Sequence, residues 1–203
     1  MFHEVVFGGG PLGVSIWIGL FCVSTAAFAS VLILLTLLRR KVFLHPRFFE
    51  KNAENAPDAL PAEFETNSSL FDRIYLVLYP NSCKGKAALE ELAAEIIGRE
   101  SRRVLRKIAA LQTCANVAPM LGLLGTVQGM VTAFMGLGTT VGPEKASVLA
   151  VAISQALYTT AAGLVIAIPA TILCIVFRNR LETIMDALNE DIGNVIDSFT
   201  GDR

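Results

Sequence analysis

Charge is what this sequence has least of. Only 17% of its 203 residues are Asp, Glu, Lys or Arg, against 53% hydrophobic, and the mean hydropathy is +0.56. Soluble domains carry about 25% charged residues, so the balance argues for a membrane protein. The formal net charge is -1, which leaves no basic field for nucleic acid. Cysteine and histidine are also sparse. Cys22, Cys83, Cys114 and Cys174 form no CxxC pair, and His3 and His45 have no ligand-spaced neighbours. Neither a disulfide framework nor a metal site is expected. No nucleophile–base pair and no phosphate-binding glycine loop is present, so the pattern argues against an enzyme and calls for no cofactor. Residues 1–11 contain no Lys or Arg, and a cleaved signal peptide would need a basic start.

What is there is three long runs without any Asp, Glu, Lys, Arg or His: residues 12–38, 108–143 and 146–177. Each exceeds the roughly 20 residues that span a hydrocarbon core. The basic residues lie at their ends, as Arg39, Arg40 and Lys41, the cluster Arg99, Arg102, Arg103, Arg106 and Lys107, and Arg178 with Arg180. With three spans these all fall on one side, and only Lys145 falls on the other. The positive-inside rule then places the N-terminus outside and both the central segment and the C-terminus in the cytoplasm. Trp17 suits the outer interface, and the basic cluster suits anionic phospholipid.

The expected architecture is an all-α membrane protein with three transmembrane helices, the second and third continuing into a cytoplasmic helical domain. Its parts are an outer N-terminus (1–11), a first span (12–38), a cytoplasmic segment (39–110), a second span (111–137), a short outer loop (138–146), a third span (147–177) and a C-terminal cytoplasmic helix (178–203). Within the cytoplasmic segment, Pro46, Pro57 and Pro61 interrupt a polar stretch, and residues 70–78 and 87–97 read as helices. Leu89, Leu92 and Ile96 share one face of the latter. The tail repeats apolar residues at steps of three and four: Leu181, Ile184, Met185, Leu188, Ile192, Val195, Ile196 and Phe199.

The second and third spans are too polar and too glycine-rich for plain anchors. Residues 118–134 read APMLGLLGTVQGMVTAF, with Gly122, Gly125 and Gly129, Pro119, and the polar Thr126, Gln128 and Thr132. Gly122, Thr126, Gly129 and Ala133 make one stripe of small residues. Ala152, Ala156, Thr160, Gly163 and Ala167 make another. Such stripes pack helices closely in lipid. Thr126, Gln128, Gln155, Thr159 and Thr160 lie deep in their runs, where polar groups need partners. Thr159 and Thr160 on a small-residue stripe facing Thr126 point to a polar lumen. Pro119 and Pro169 near the cytoplasmic ends bend the helices or shape the bundle. A proton or ion relay normally needs an ionisable group such as Asp, Glu, Lys, Arg or His at membrane depth, and these spans have none of those five. A conducting assembly must obtain its carboxylate from a partner.

Residues 118–134 followed by QALYTTAAGLVIAIPA (155–170) resemble the paired signature of the MotA/TolQ/ExbB proton-channel family. With three spans the chain is more similar to ExbB and TolQ than to the four-span MotA type. The resemblance implies a homo-pentameric ring in the bacterial inner membrane, its second and third helices lining a pore. It further implies an ExbD/TolR-like single-span partner bearing an intramembrane aspartate, and a TonB/TolA-like protein that receives the work, such as energised outer-membrane transport. Thr126 in GTVQG and Thr160 in TTAAGL match the family's pore threonines. Gln155 stands where ExbB and TolQ commonly carry glutamate, and an amide hydrogen-bonds without titrating. The rival readings are a non-conducting oligomeric scaffold and a motility stator.

Overall fold

The computed structural model describes residues 10–38, 69–83, 85–139 and 144–200, and these form helices with no strand among them. They are α1 (Gly10–Leu37), α2 (Leu70–Leu78), a 3-10 turn (Tyr79–Asn81), α3 (Lys86–Thr139) and α4 (Glu144–Thr200). The proline-interrupted stretch around Pro46, Pro57 and Pro61 and the basic Arg39, Arg40 and Lys41 lie outside the described residues, as do the outermost termini. Three helices, α1, α3 and α4, are long and apolar enough to cross a membrane.

The lengths of α3 and α4 come from what does not interrupt them. Neither helix is broken where its charged part meets its apolar part, around Lys107 in α3 and Arg178 in α4. At 1.5 Å per residue, the 54 residues of α3 run for roughly 80 Å, against about 30 Å of hydrocarbon. Pro119 and Pro169 are contained inside the helices. The helices also reach further into 138–146 than the loop expected there, since α3 continues through Thr139 and α4 starts at Glu144. In lipid a helical backbone satisfies its own polar groups, which favours helix even across Gly136 and Gly138.

The chain divides into two compact units. The first contains residues 1–32 and 108–175, and small side chains make its interior: Ala115, Ala118, Ala133, Ala152, Ala156, Ala167 and Ala170 are buried. Many of its large side chains point outward, with Phe21 and Met135 each 70% exposed and Val165 71%. That inversion suits lipid, where apolar bulk gains nothing by turning inward and close backbone approach supplies the attraction. On α1, Ile16, Leu20 and Ala27 are buried, and Gly19 sits against Leu121 of α3.

The second unit contains residues 33–107 and 176–203 and is built the opposite way. Most of the largest fully buried side chains of the described chain lie here, among them Leu34, Leu38, Ile74, Leu78, Leu89, Leu181, Leu188 and Ile196. This is the core of a protein in water, held by burial of large aliphatic groups. Six of the eight tail positions read from the sequence are buried: Leu181, Ile184, Met185, Leu188, Ile192 and Ile196. On α3 the buried line is Leu89, Ala93, Ile97 and Val104, and Leu92 and Ile96 flank it. The expected face was therefore rotated by about one residue, because small Ala93 marks its centre and carries little hydropathic signal. The end of α4 is fixed twice. Lys86 Nζ lies 2.7 Å from Asp197 Oδ1, and Phe199 packs against Tyr75 and Tyr79 with ring centroids 5.9 and 6.4 Å apart.

The two kinds of interior respond differently to truncation. Leu188→Ala in the second unit should cost about 2–5 kcal/mol, whereas Val165→Ala on the outer surface of the first should be close to silent in thermal melts of the detergent-solubilised protein. Burial, with Glu190 adding repulsion, raises the Asp191 carboxyl above its ordinary 3.8. The folded state then binds its proton more tightly than the unfolded state does, so stability falls as pH rises from the ordinary value through the raised one. Asp191→Asn should therefore raise the melting temperature slightly at neutral pH and leave it unchanged below the ordinary carboxylate range.

Candidate functional site

The seam between the apolar parts of α3 and α4 is antiparallel, and its register is set by glycines. Progressing along it, Cys174 Sγ lies 3.9 Å from Ile108 O, Gly163 meets Ala118, Thr159 and Thr160 meet Gly122, Ala156 meets Gly129 and Val148 meets Gly136. At four of these positions there is no room for a side chain. A Cβ on Gly163 would stand 2.6 Å from Ala118 O, and one on Gly129 would stand 2.5 Å from Ala156 Cβ. On Gly122 it would lie 3.0 Å from Thr160 Cα, and on Gly125 2.6 Å from Thr159 Cβ. Backbone contact this close is how helices attract one another in lipid.

The threonines of α4 use that closeness. Thr160 donates its hydroxyl to Gly122 O at 2.9 Å. Thr159, 7% exposed, donates to Ala156 O at 2.7 Å and makes a longer contact of 3.4 Å to Gly122 O. One carbonyl of α3 thus gathers two hydroxyls from α4, which is possible only because residue 122 has no side chain in the way. Thr126 instead donates to Leu123 O of its own helix at 2.7 Å. All three hydroxyl protons are engaged by backbone carbonyls, so the oxygens present lone pairs to anything that approaches them.

The expected stripe needs one adjustment. Gly125, and not Thr126, faces Thr159, and the line of contact on α3 is Gly122, Gly125, Gly129 and Ala133, of which Gly129 is half-buried and the others buried. Adjacent helical residues are about 100° apart, so Gly125 and Thr126 cannot share a face. Thr126 is half-buried beside the seam. Gln155 does not sit on it either: Gln155, Gln128 and Thr132 line a small cleft with Trp17 of α1. Trp17 therefore has a place in the helix packing, which its reading as an interface marker had not anticipated. Pro119 is half-buried in α3 next to the Ala118–Gly163 contact, and Pro169 is exposed on α4. The role of Gly122 O was missed because a backbone carbonyl has no letter in a sequence.

Helices of this length and composition, packed through glycine and threonine, define a multi-pass α-helical membrane protein. The chain matches the MotA/TolQ/ExbB proton channel family over residues 47–190, and it belongs to that family. It is 41% identical over 106 residues to the Tol-Pal system protein TolQ of Haemophilus influenzae, covering 51% of this chain and 43% of that protein. It is 35% identical over 86 residues to the biopolymer transport protein ExbB of Salmonella typhimurium, covering 42% and 35%. It is also 33% identical over 146 residues to the putative biopolymer transport protein ExbB-like 3 of Synechocystis, covering 70% and 68%. The chain thus spans less than half the length of the first two of these relatives and about two thirds of the third.

The seam predicts a graded response to a single added methyl group. Gly163→Ala, directed at a backbone oxygen, should destabilise the hairpin by about 1–3 kcal/mol. Gly138→Ala, with nothing within 4 Å of the new Cβ, should not destabilise it. Gly136→Ala meets only the Val148 Cγ1 at 2.9 Å and should fall between them. Thermal melts of the three variants in one detergent give the order.

Proposed function

We propose that this chain is the ring-forming subunit of an inner-membrane proton channel, a homo-pentamer that works with an ExbD/TolR-like single-span partner. The ring couples the ion motive force to work on the cell envelope through a TonB/TolA-like protein. Its N-terminus faces the periplasm and its C-terminus the cytoplasm, following the distribution of Arg and Lys. Membership of the family supports the channel class. The printed names of the relatives, a Tol-Pal system protein and biopolymer transport proteins, support envelope work as the load.

One observation carries the mechanism: the hydroxyls of Thr126 and Thr160 have given their protons to Leu123 O and Gly122 O. Their oxygens accept hydrogen bonds without donating them. A protonated carboxyl on the partner can donate to such an oxygen, whereas a carboxylate only accepts and finds no donor there unless the threonine first breaks its backbone bond. The lining therefore distinguishes the two protonation states of a carboxyl group and favours the neutral one. Runs 108–143 and 146–177 contain no Asp, Glu, Lys, Arg or His of their own, so the proton is carried by the partner. Protonation and release alternate the partner helix's preference for the ring, and that alternation moves the helix. Gln155 and Thr159 belong to the same lining as neutral hydrogen-bonding groups. Pro119, Pro169 and the seam glycines hold its shape.

Co-reconstitution with the partner in liposomes tests this. Thr126→Val and Thr160→Val keep the side-chain volume and remove the oxygen, and each should lower proton flux about tenfold, the scale of one lost hydrogen bond. Thr160→Ser should retain most of the flux. Unchanged flux in both valine variants, together with loss of the oligomer in Gly129→Leu, would favour a non-conducting scaffold.

A further inference from the structure

Within the first unit, the sides of α3 and α4 that turn away from their seam are both uncovered. On α3 the exposed line is Asn116, Met120, Leu123, Val127, Met130 and Phe134, and on α4 it is Val151, Ser154, Tyr158, Ala161, Val165 and Ile168. Both lines step by three and four, the spacing at which two helices pack along a shared seam. Lipid suits most of these side chains, but each line also holds a polar group that hydrocarbon leaves without a partner. Asn116 accepts from Gln112 Nε2 at 3.0 Å, and its own amide N–H groups donate to nothing among the described residues. On α4, Pro169 lacks the N–H that would return to the carbonyl of Val165, four residues earlier. Val165 is 71% exposed, and no side chain of the described residues donates to its oxygen. A donor and an acceptor thus stand open on opposite sides of the hairpin, where a group freed by proline is normally met by a neighbouring helix.

We propose that the face bearing Val165 docks the face bearing Asn116 of a second copy of this chain, with Asn116 donating to the carbonyl that Pro169 opens. The proposal rests on the ring reading above and names the contact that closes the ring. Depth carries it. Gly163 packs on the Ala118 carbonyl, which sets these two residues at one level of the antiparallel pair. Asn116 lies two residues before Ala118 and Val165 two residues after Gly163, so both are displaced about 3 Å in the same direction. The same two steps turn each of them about 200° away from the seam. The Asn116 side chain leans toward the start of α3, and the Val165 carbonyl points toward the end of α4, which is again one direction. Rotation about an axis normal to the membrane keeps every residue at its own depth. A neighbour in the ring therefore meets Val165 with residues of the same depth, and Asn116 is one of them. The two faces differ, so the contact is heterologous, the kind that generates rings. Their shapes agree as well. Ala161 follows Thr160, which meets Gly122, so it leaves room at the level of the large Met120 and Leu123.

Asn116→Cys and Val165→Cys, combined in one chain, lie on opposite sides of the hairpin, so a short bifunctional thiol reagent can join them only between copies. In membranes containing the full chain, the double variant should give a ladder of cross-linked multimers. Each single variant should give no more than the wild type, whose own Cys22, Cys83, Cys114 and Cys174 set the background. A double-mutant cycle tests the bond itself. Asn116→Leu should raise the dissociation constant of the detergent-solubilised oligomer about fivefold, the scale of one hydrogen bond. Pro169→Ala gives the Val165 carbonyl an N–H from its own helix, and in that background Asn116→Leu should change little. Equal effects of Asn116→Leu in both backgrounds would overturn the proposal. So would a wild type that is oligomeric in native mass spectra while the double cysteine variant stays unjoined, or is joined to a different protein. A monomeric wild type would instead overturn the ring reading, and this contact with it.

Discussion

The contact between α3 and α4 depends on side chains that are not there. At Gly122, Gly125, Gly129 and Gly163 the opposing helix occupies the space a Cβ would need. In lipid, turning leucines inward gains nothing over leaving them in the hydrocarbon, so adhesion comes from dispersion between closely approaching backbones and from polar contacts that closeness allows. The threonine hydroxyls on Gly122 O are such contacts. The site chemistry therefore follows from the packing. Thr160 presents a lone pair because its proton is held by a carbonyl that only a glycine leaves accessible.

The second unit shows the same chain under the other solvent. Leu34, Leu38, Leu89, Leu181 and Leu188 are almost wholly buried there, and polar or charged residues fill the opposite helix faces. Two helices pass from one regime to the other without a break, so one hydrogen-bonded backbone carries an interior of alanine and glycine and then one of leucine and isoleucine. The ends of these elements are held by specific contacts, namely the Lys86–Asp197 ion pair and the Tyr75, Tyr79 and Phe199 rings. The exposed ion pair adds little by itself. The aromatic contacts bury more surface and fix the direction of the final turn.

How legible all this was depended on whether side-chain identity or side-chain direction was at issue. The three apolar helices, the stripe of the tail and the family signature at 118–134 and 155–170 were readable, because hydropathy and period survive in the order of residues. The boundary of the loop at 138–146 was not, because Gly136 and Gly138 read as breakers in water yet remain helical at the end of an apolar run. The face carrying Leu89 was misplaced by about one residue for a related reason, since Ala93 at its centre is nearly neutral on any hydropathic scale.

The sequence alone determined that this is a helical membrane protein, that its second and third spans associate through small residues, and that no Asp, Glu, Lys, Arg or His lies within those spans. Each follows from composition and spacing, which need no coordinates. Only the tertiary structure decided which small residues touch. It put Gly125 opposite Thr159 and left Thr126 beside the seam, and it drew Gln128, Gln155 and Trp17 together around one cleft. That choice depends on the rotation of each helix about its axis, where a step of one residue turns a side chain through about 100°. It also depends on which carbonyls lie open beneath a glycine, a property of the backbone that no residue's identity records.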